Sequence, residues 1–136
     1  MRRSDQRRDA AVALYQRDVT KRPLDELLVD AKPFTRDLAL GADEHLAEID
    51  AEIGANAHGW TIQRIAPLER AIMRIAVFEI HHRPEIPAPV SISEAVDSAK
   101  RYCGAEAPGF VNGVLSAIAR AAGQEQAVPA TEEASA

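Results

Sequence analysis

The residue types that could do chemistry are few in this chain, and most of them lack company. The four histidines never fall at metal-ligand spacing. His81 and His82 are adjacent, and neighbours on a helix point to different faces, so they cannot form one metal site. There is no HExxH, no CxxC and no glycine-rich phosphate loop, which leaves metal and nucleotide cofactors unsupported. Cys103 has no base signalled near it and sits among apolar residues at helical spacing, where a small core residue is expected. Ser91 and Ser93 read as helix caps, not nucleophiles. Enzymatic activity is not expected, with no catalytic residue, no cofactor and no metal ligand.

Two patterns remain. Glu79 falls inside an apolar helical arc with Leu68, Ile72 and Ile75, and a carboxylate facing a core must be paired or hydrogen-bonded. No second carboxylate shares its spacing, so a structural acceptor is expected, bonded to backbone N–H groups or to an arginine. The second pattern lies at the N-terminus. Residues 1–22 carry seven basic side chains against three acidic ones, while the rest carry nine against eighteen. Arg3 and Arg7 are four apart on one helical face, and Arg8 leads through Ala11 or Val12 to Tyr15 on the next. Guanidinium groups hold phosphates and a ring can stack a base, so this surface suits single-stranded RNA. Taken alone, Tyr15 also fits an ordinary half-buried core position.

Helices must position these residues. Hydrophobic residues are 46% and aromatic residues 4% of the 136, a mix that favours a helical bundle over a sandwich. No stretch alternates over strand length, so the expected fold is all-α, with one domain over 1–122. The pattern predicts a first helix to about Val19 capped by Ser4 or Asp5, and a short one opened by Pro23. A long helix is expected over 34–57, with an acidic outer face assigned no ligand. Trp60 anchors the joint between the halves, and Thr61 caps a short turn. The central helix, 68–80, opens at Pro67 and is apolar around most of its circumference, so it must be buried. Its expected outward stripe is Arg70, Arg74, Val77 and His81. Pro84, Pro87 and Pro89 predict an extended connector, and Ser91 with Glu94 predicts a capping box for the next helix. The last helix is expected over 110–122, with Gly113 marking close approach of another backbone. The stretch 123–136 reads as a disordered tail. A single cysteine and no apolar leader point to a cytoplasmic protein.

Three stretches in this order and spacing, GWTIQRIAPLERAIMRIAVFEI, IPAPVSISEAVDSAKRY and PGFVNGVL, resemble the bacterial transcription antitermination factor NusB, and RRDAAVALYQRD resembles its first helix. The resemblance covers about residues 2–121 and implies a seven-helix bundle in two halves. It implies a non-enzymatic adaptor that binds boxA-type RNA of nascent transcripts with ribosomal protein NusE, within an antitermination complex on RNA polymerase. The RNA path of the family maps onto Arg2, Arg3, Arg7, Arg8, Tyr15, Glu106 and Phe110. Its partner surface maps onto Glu69, Arg70 and Arg74. The family's arginine run is interrupted here by Ser4, Asp5 and Gln6, which implies weaker binding and a shallower salt dependence. Glu106-Ala107 stands where many members have Asp-Ser. The alternative is a protein adaptor whose partner makes most of the RNA contact, and homodimerisation stays open. Methyltransferases with a similar domain add a methyl-donor-binding α/β domain, of which these residues show no pattern.

Overall fold

A computed structural model describes residues 1–123. Among them are seven α-helices: α1 (Arg3–Thr20), α2 (Leu24–Leu27), α3 (Pro33–Glu44), α4 (Leu46–Asn56), α5 (Pro67–His82), α6 (Ala88–Tyr102) and α7 (Ala107–Ala121), with a 3-10 turn at Ile62–Arg64. No strand occurs among the described residues, in agreement with the all-α expectation. The expected tail, apart from Gly123, lies outside them.

Helix α5 is the axis. Every residue from Ala71 to Ile80 is buried, as its nearly unbroken apolar surface requires. The other long helices close a ring around it: α1 touches α3, α3 touches α4, α4 touches α7, α7 touches α6, and α6 returns to α1. Helices α1, α3, α4, α6 and α7 all pack on α5, and the short α2 packs on α1. The core is aliphatic, built from Leu14, Leu28, Leu38, Ile53, Met73, Leu115 and Ile118, each at most 1% exposed.

Several element boundaries differ from expectation. Helix α1 begins at Arg3 with no side-chain cap, because Ser4 turns its hydroxyl to Glu94 instead, at 3.0 Å. The helix predicted over 34–57 is two helices, broken at His45 without a proline or glycine. The break lets His45 lay its ring on His82, centroids 4.0 Å apart, with Phe78 stacked 5.1 Å from His82 and 6.3 Å from His45. Helix α6 begins at Ala88, so the connector is shorter than expected, since proline is tolerated in a first turn. Ser91 therefore lies inside the helix, 1% exposed, and caps nothing. Helix α7 begins at Ala107, with Pro108 in its first turn. Thr61 precedes the 3-10 turn as expected but makes no side-chain cap bond.

The close approach expected at Gly113 is found at Gly41. A Cβ on Gly113 would meet nothing within 4 Å, whereas one on Gly41 would sit 2.2 Å from the Phe78 ring. Gly41→Ala therefore overpacks α3 against α5. It should destabilise by about 1–2 kcal/mol despite the better helix propensity of alanine, measurable by urea denaturation.

The ring stack carries a pH dependence. Burial, then the neighbouring His45 and His81, lower the His82 pKa below its ordinary value. The folded state thus favours neutral His82, so its stabilising effect is complete above the ordinary histidine range and is lost as pH falls through it. The drop in melting temperature between pH 7.5 and pH 5.5 should be smaller in His82→Gln than in the parent protein.

Candidate nucleic-acid interface

The N-terminal arginines sit on a helix fixed to α5 at both ends. Arg7, an expected RNA contact, is turned inward: its side chain is 11% exposed and its Nε donates to Glu79 Oε2 at 2.6 Å. Glu79 is fully buried and also accepts from the Ser91 hydroxyl. The core carboxylate therefore has the arginine partner expected of it, supplied from 72 residues away, and the residue read as a cap supplies the second bond. At the other end of α1, Asp18 accepts from Arg74 Nη1 at 2.7 Å and Arg70 Nη2 at 3.3 Å.

Of the outward stripe expected on α5, only His81 is exposed. Arg74, an expected partner contact, is 6% exposed, with Nε and Nη2 each 2.7 Å from Asp50 on α4. Burial opposes its charge, but the bonds to Asp50 and Asp18 outweigh it and raise its pKa above the ordinary value. Arg70 donates to the carbonyls of Ile62 and Ile65 as well as to Asp18, tying the 3-10 turn to the bundle. The acidic face of α3 and α4, expected to be merely solvated, supplies part of this network. Asp43 holds Arg17 at 2.6 Å, and Glu52 meets His81 at 2.7 Å.

Of the other expected RNA-facing residues on α1 and just before it, Arg2 and Arg3 are exposed and Arg8 and Tyr15 are half-buried. The Arg2 side chain is 76% exposed, 3.5 Å from Asp5. Arg3 is exposed and lies over the Phe34 ring, 4.1 Å from its centroid. Among the described residues it has no carboxylate within ion-pair distance. Arg8 is bonded to Asp5 and Asp9. Asp9 and then the Tyr102 hydroxyl raise its pKa above the ordinary arginine value. Tyr15 is half-buried and packs against the core.

From Arg8 a surface groove continues. A shallow apolar pocket of about 80 Å³ is lined by Arg8, Val12, Leu68 and Tyr102. Beside it lies a cleft of about 590 Å³ lined by Trp60, Arg64, Glu69, Gly104, Glu106 and Phe110. Leu68 of the first is followed in the chain by Glu69 of the second, and Tyr102 is two residues from Gly104, so the two hollows adjoin. Glu69 is half-buried, and burial raises its carboxyl pKa. The Cys103 thiol is raised too, by burial and then by Glu69, which makes it a poor nucleophile. The groove thus joins Arg8, Glu106 and Phe110 of the expected set, leaves Arg7, Arg70 and Arg74 as internal braces, and adds two exposed aromatic rings. Tyr102, 47% exposed, was marked in the sequence by the two bases before it, Lys100 and Arg101. Trp60 was legible only as a packing residue.

A seven-helix bundle closed around one buried central helix is the fold of a NusB-type domain. The family model described as NusB family matches residues 4–120. The transcription antitermination protein NusB of Geobacillus kaustophilus (strain HTA426) is 41% identical over 124 residues, covering 87% of this chain and 95% of that protein. The structure of T. maritima NusB superposes with a TM-score of 0.82 at 28% identity, over 88% of this chain and 92% of that one. A crystal structure of antitermination factors NusB and NusE in complex with dsRNA matches at 30% identity and a TM-score of 0.78, over 89% of this chain and 99% of that chain. The chain belongs to the NusB family. No helix among the described residues is long and apolar enough to cross a membrane.

Replacing Glu79 tests the anchor of α1. Glu79→Gln leaves the Arg7 guanidinium with only Glu94, 3.9 Å away, and should lower stability on the order of 3 kcal/mol. Arg7→Met in the same chain should recover part of that loss, and a double-mutant cycle in urea should give a coupling of at least about 1 kcal/mol.

Proposed function

We propose that this chain is a non-enzymatic transcription antitermination factor that binds boxA-type RNA of nascent transcripts together with ribosomal protein NusE. In that reading the complex joins RNA polymerase and promotes transcription of ribosomal RNA operons past terminators. The observation that carries it is the groove running from the half-buried Arg8 past Tyr102 to Glu106 and Phe110, on a helix whose first turn also bears the exposed Arg2 and Arg3. Cations at one end and rings at the other are what a single strand needs, since guanidinium groups meet phosphates and bases stack on aromatic faces. The solved complex of family members with NusE and double-stranded RNA supports the choice of partners. Glu69, at the start of α5, is the member of the expected partner surface that remains accessible, while Arg70 and Arg74 shape that surface from within.

One observation favours a smaller RNA role for this chain. Arg8 already has two carboxylate partners and Arg7 is committed to Glu79, so few cations remain for phosphates. An adaptor whose partner makes most of the RNA contact is the second reading.

Titration of a boxA RNA and a scrambled one, each with and without NusE, distinguishes these. The first reading expects tighter binding of boxA, increased by NusE; equal affinity for both RNAs in every case rules out sequence-specific recognition. Arg2→Ala and Arg3→Ala should each make the salt dependence shallower by about one counterion. Tyr102→Ala, which removes the exposed ring of the groove, should weaken binding and leave that slope unchanged. Light scattering under the same conditions separates a monomer from a homodimer that buries the groove.

A further inference from the structure

A second hollow lies at the far end of α5 from the aromatic cleft. It holds about 600 Å³, and its floor is apolar, made by Pro33, Leu40 and Gly41 of α3 and the Phe78 ring of α5. His82 and His45 add a flat wall, their rings stacked with centroids 4.0 Å apart. His82 is exposed. Incomplete hydration, then the neighbouring His45 and His81, hold its pKa below the ordinary histidine value against the smaller pull of Glu48 and Glu44. Near neutral pH its ring therefore carries no charge to repel a cation. Glu44 stands at the rim. The other carboxylates of α3 and α4 are all taken: Asp37 by Arg83, Asp43 by Arg17, Glu48 by His45, Asp50 by Arg74 and Glu52 by His81. Glu44 is exposed and has no such partner among the described residues. Arg36 also borders the hollow, but its Nη1 is turned to the Leu28 carbonyl at 2.7 Å.

These features select the chemistry of an occupant. A guanidinium group stacks on an aromatic face, forks to a carboxylate and follows an apolar stem. The hollow has a counterpart for each: the uncharged His82 ring, the unpaired Glu44 carboxylate, and Leu40 beside Pro33. A lysine, as a point charge, would use only the carboxylate. The surroundings agree, since the chain after residue 22 carries nine basic groups against eighteen acidic ones. Such a body repels a polyanion and draws a basic partner. We propose that the α3–α5 hollow docks an arginine of a basic protein segment, its guanidinium on His82 and forked to Glu44, its stem over Leu40. Glu69 lies thirteen residues before His82 on the same helix, about 20 Å at 1.5 Å per residue. The site is thus separate from the cleft and from the expected partner surface, and it stands independently of the RNA-binding reading.

The probe is an acetylated, amidated peptide of sequence SRLRSRLRS, titrated at neutral pH into the isotope-labelled full chain. The NMR signals of the Leu40 methyls, the Gly41 N–H and the His82 ring are followed. The expected result is saturable shifts at all three, with the Leu14 methyls in the core unmoved. Binding should weaken about threefold in Glu44→Gln and about threefold in His82→Ala, and recover in His82→Phe, which keeps a flat ring. It should stay unchanged in Asp25→Asn, an exposed carboxylate on α2. The lysine peptide SKLKSKLKS should bind about threefold more weakly than the arginine one. Equal affinity for the two peptides, or equal losses in Glu44→Gln and Asp25→Asn, leaves only bulk attraction and overturns the site. Shifts of the same signals by a boxA-type RNA give the hollow to nucleic acid and overturn it as well. Shifts by NusE alone make the hollow part of the surface at Glu69, and a separate docking site is then lost.

Discussion

Two charges of opposite sign are buried in the central helix, and the fold depends on α1 neutralising both. Glu79 and Arg74 lie five residues apart on α5, at 0% and 6% exposure. Neither could stay charged in an aliphatic interior without a partner. Arg7 meets the first and Asp18 helps meet the second. Because the N-terminal part of α1 binds the C-terminal part of α5, and the reverse, the two helices must run antiparallel. A sliding or inverted packing would strand a charge, so the ion pairs select one register where apolar contacts alone would tolerate several.

That arrangement divides the arginines between structure and surface. On α1, Arg7 and Arg17 turn inward to carboxylates, and Arg2 and Arg3 remain outside. The same basic run therefore holds the helix in place and supplies its exposed positive end. On α5 the balance shifts further, since Arg70 and Arg74 both serve the interior. A helix that looked two-faced in sequence has no open face, because five helices surround it. The accessible surface is left to the rim, where the start of α5, the α6–α7 turn and the 3-10 turn converge on the aromatic cleft.

What could be read from the sequence was what local pattern decides. The burial of α5 followed from its composition, its start from Pro67, and the structural role of Glu79 from the lack of any ligand at its spacing. The helix break at His45 was invisible because no breaker residue marks it, and the ring stack with His82 and Phe78 that accompanies it is a long-range contact. The capping box at Ser91 was misplaced for a related reason. Pro87 and Pro89 look like an extended segment until one allows proline in a helix's opening turn. Arg74 reads as an exposed residue on a helical wheel, since its partners Asp18 and Asp50 lie 56 and 24 residues away. The groove is the least legible feature, being assembled from four separate segments.

The attachment of α1 to α5 also bears on cooperativity. Basic N-terminal segments commonly fray and become ordered only on meeting nucleic acid, which then sets the conformational entropy loss against binding. Here the backbone through Arg7 is held by a bond to the most buried carboxylate among the described residues, so this helix can open only as the core opens. Its ordering entropy has already been lost during folding, and an arriving strand meets a fixed backbone with only arginine side chains left to settle. Fewer free cations than an unbroken run would give are thus presented on a more rigid frame.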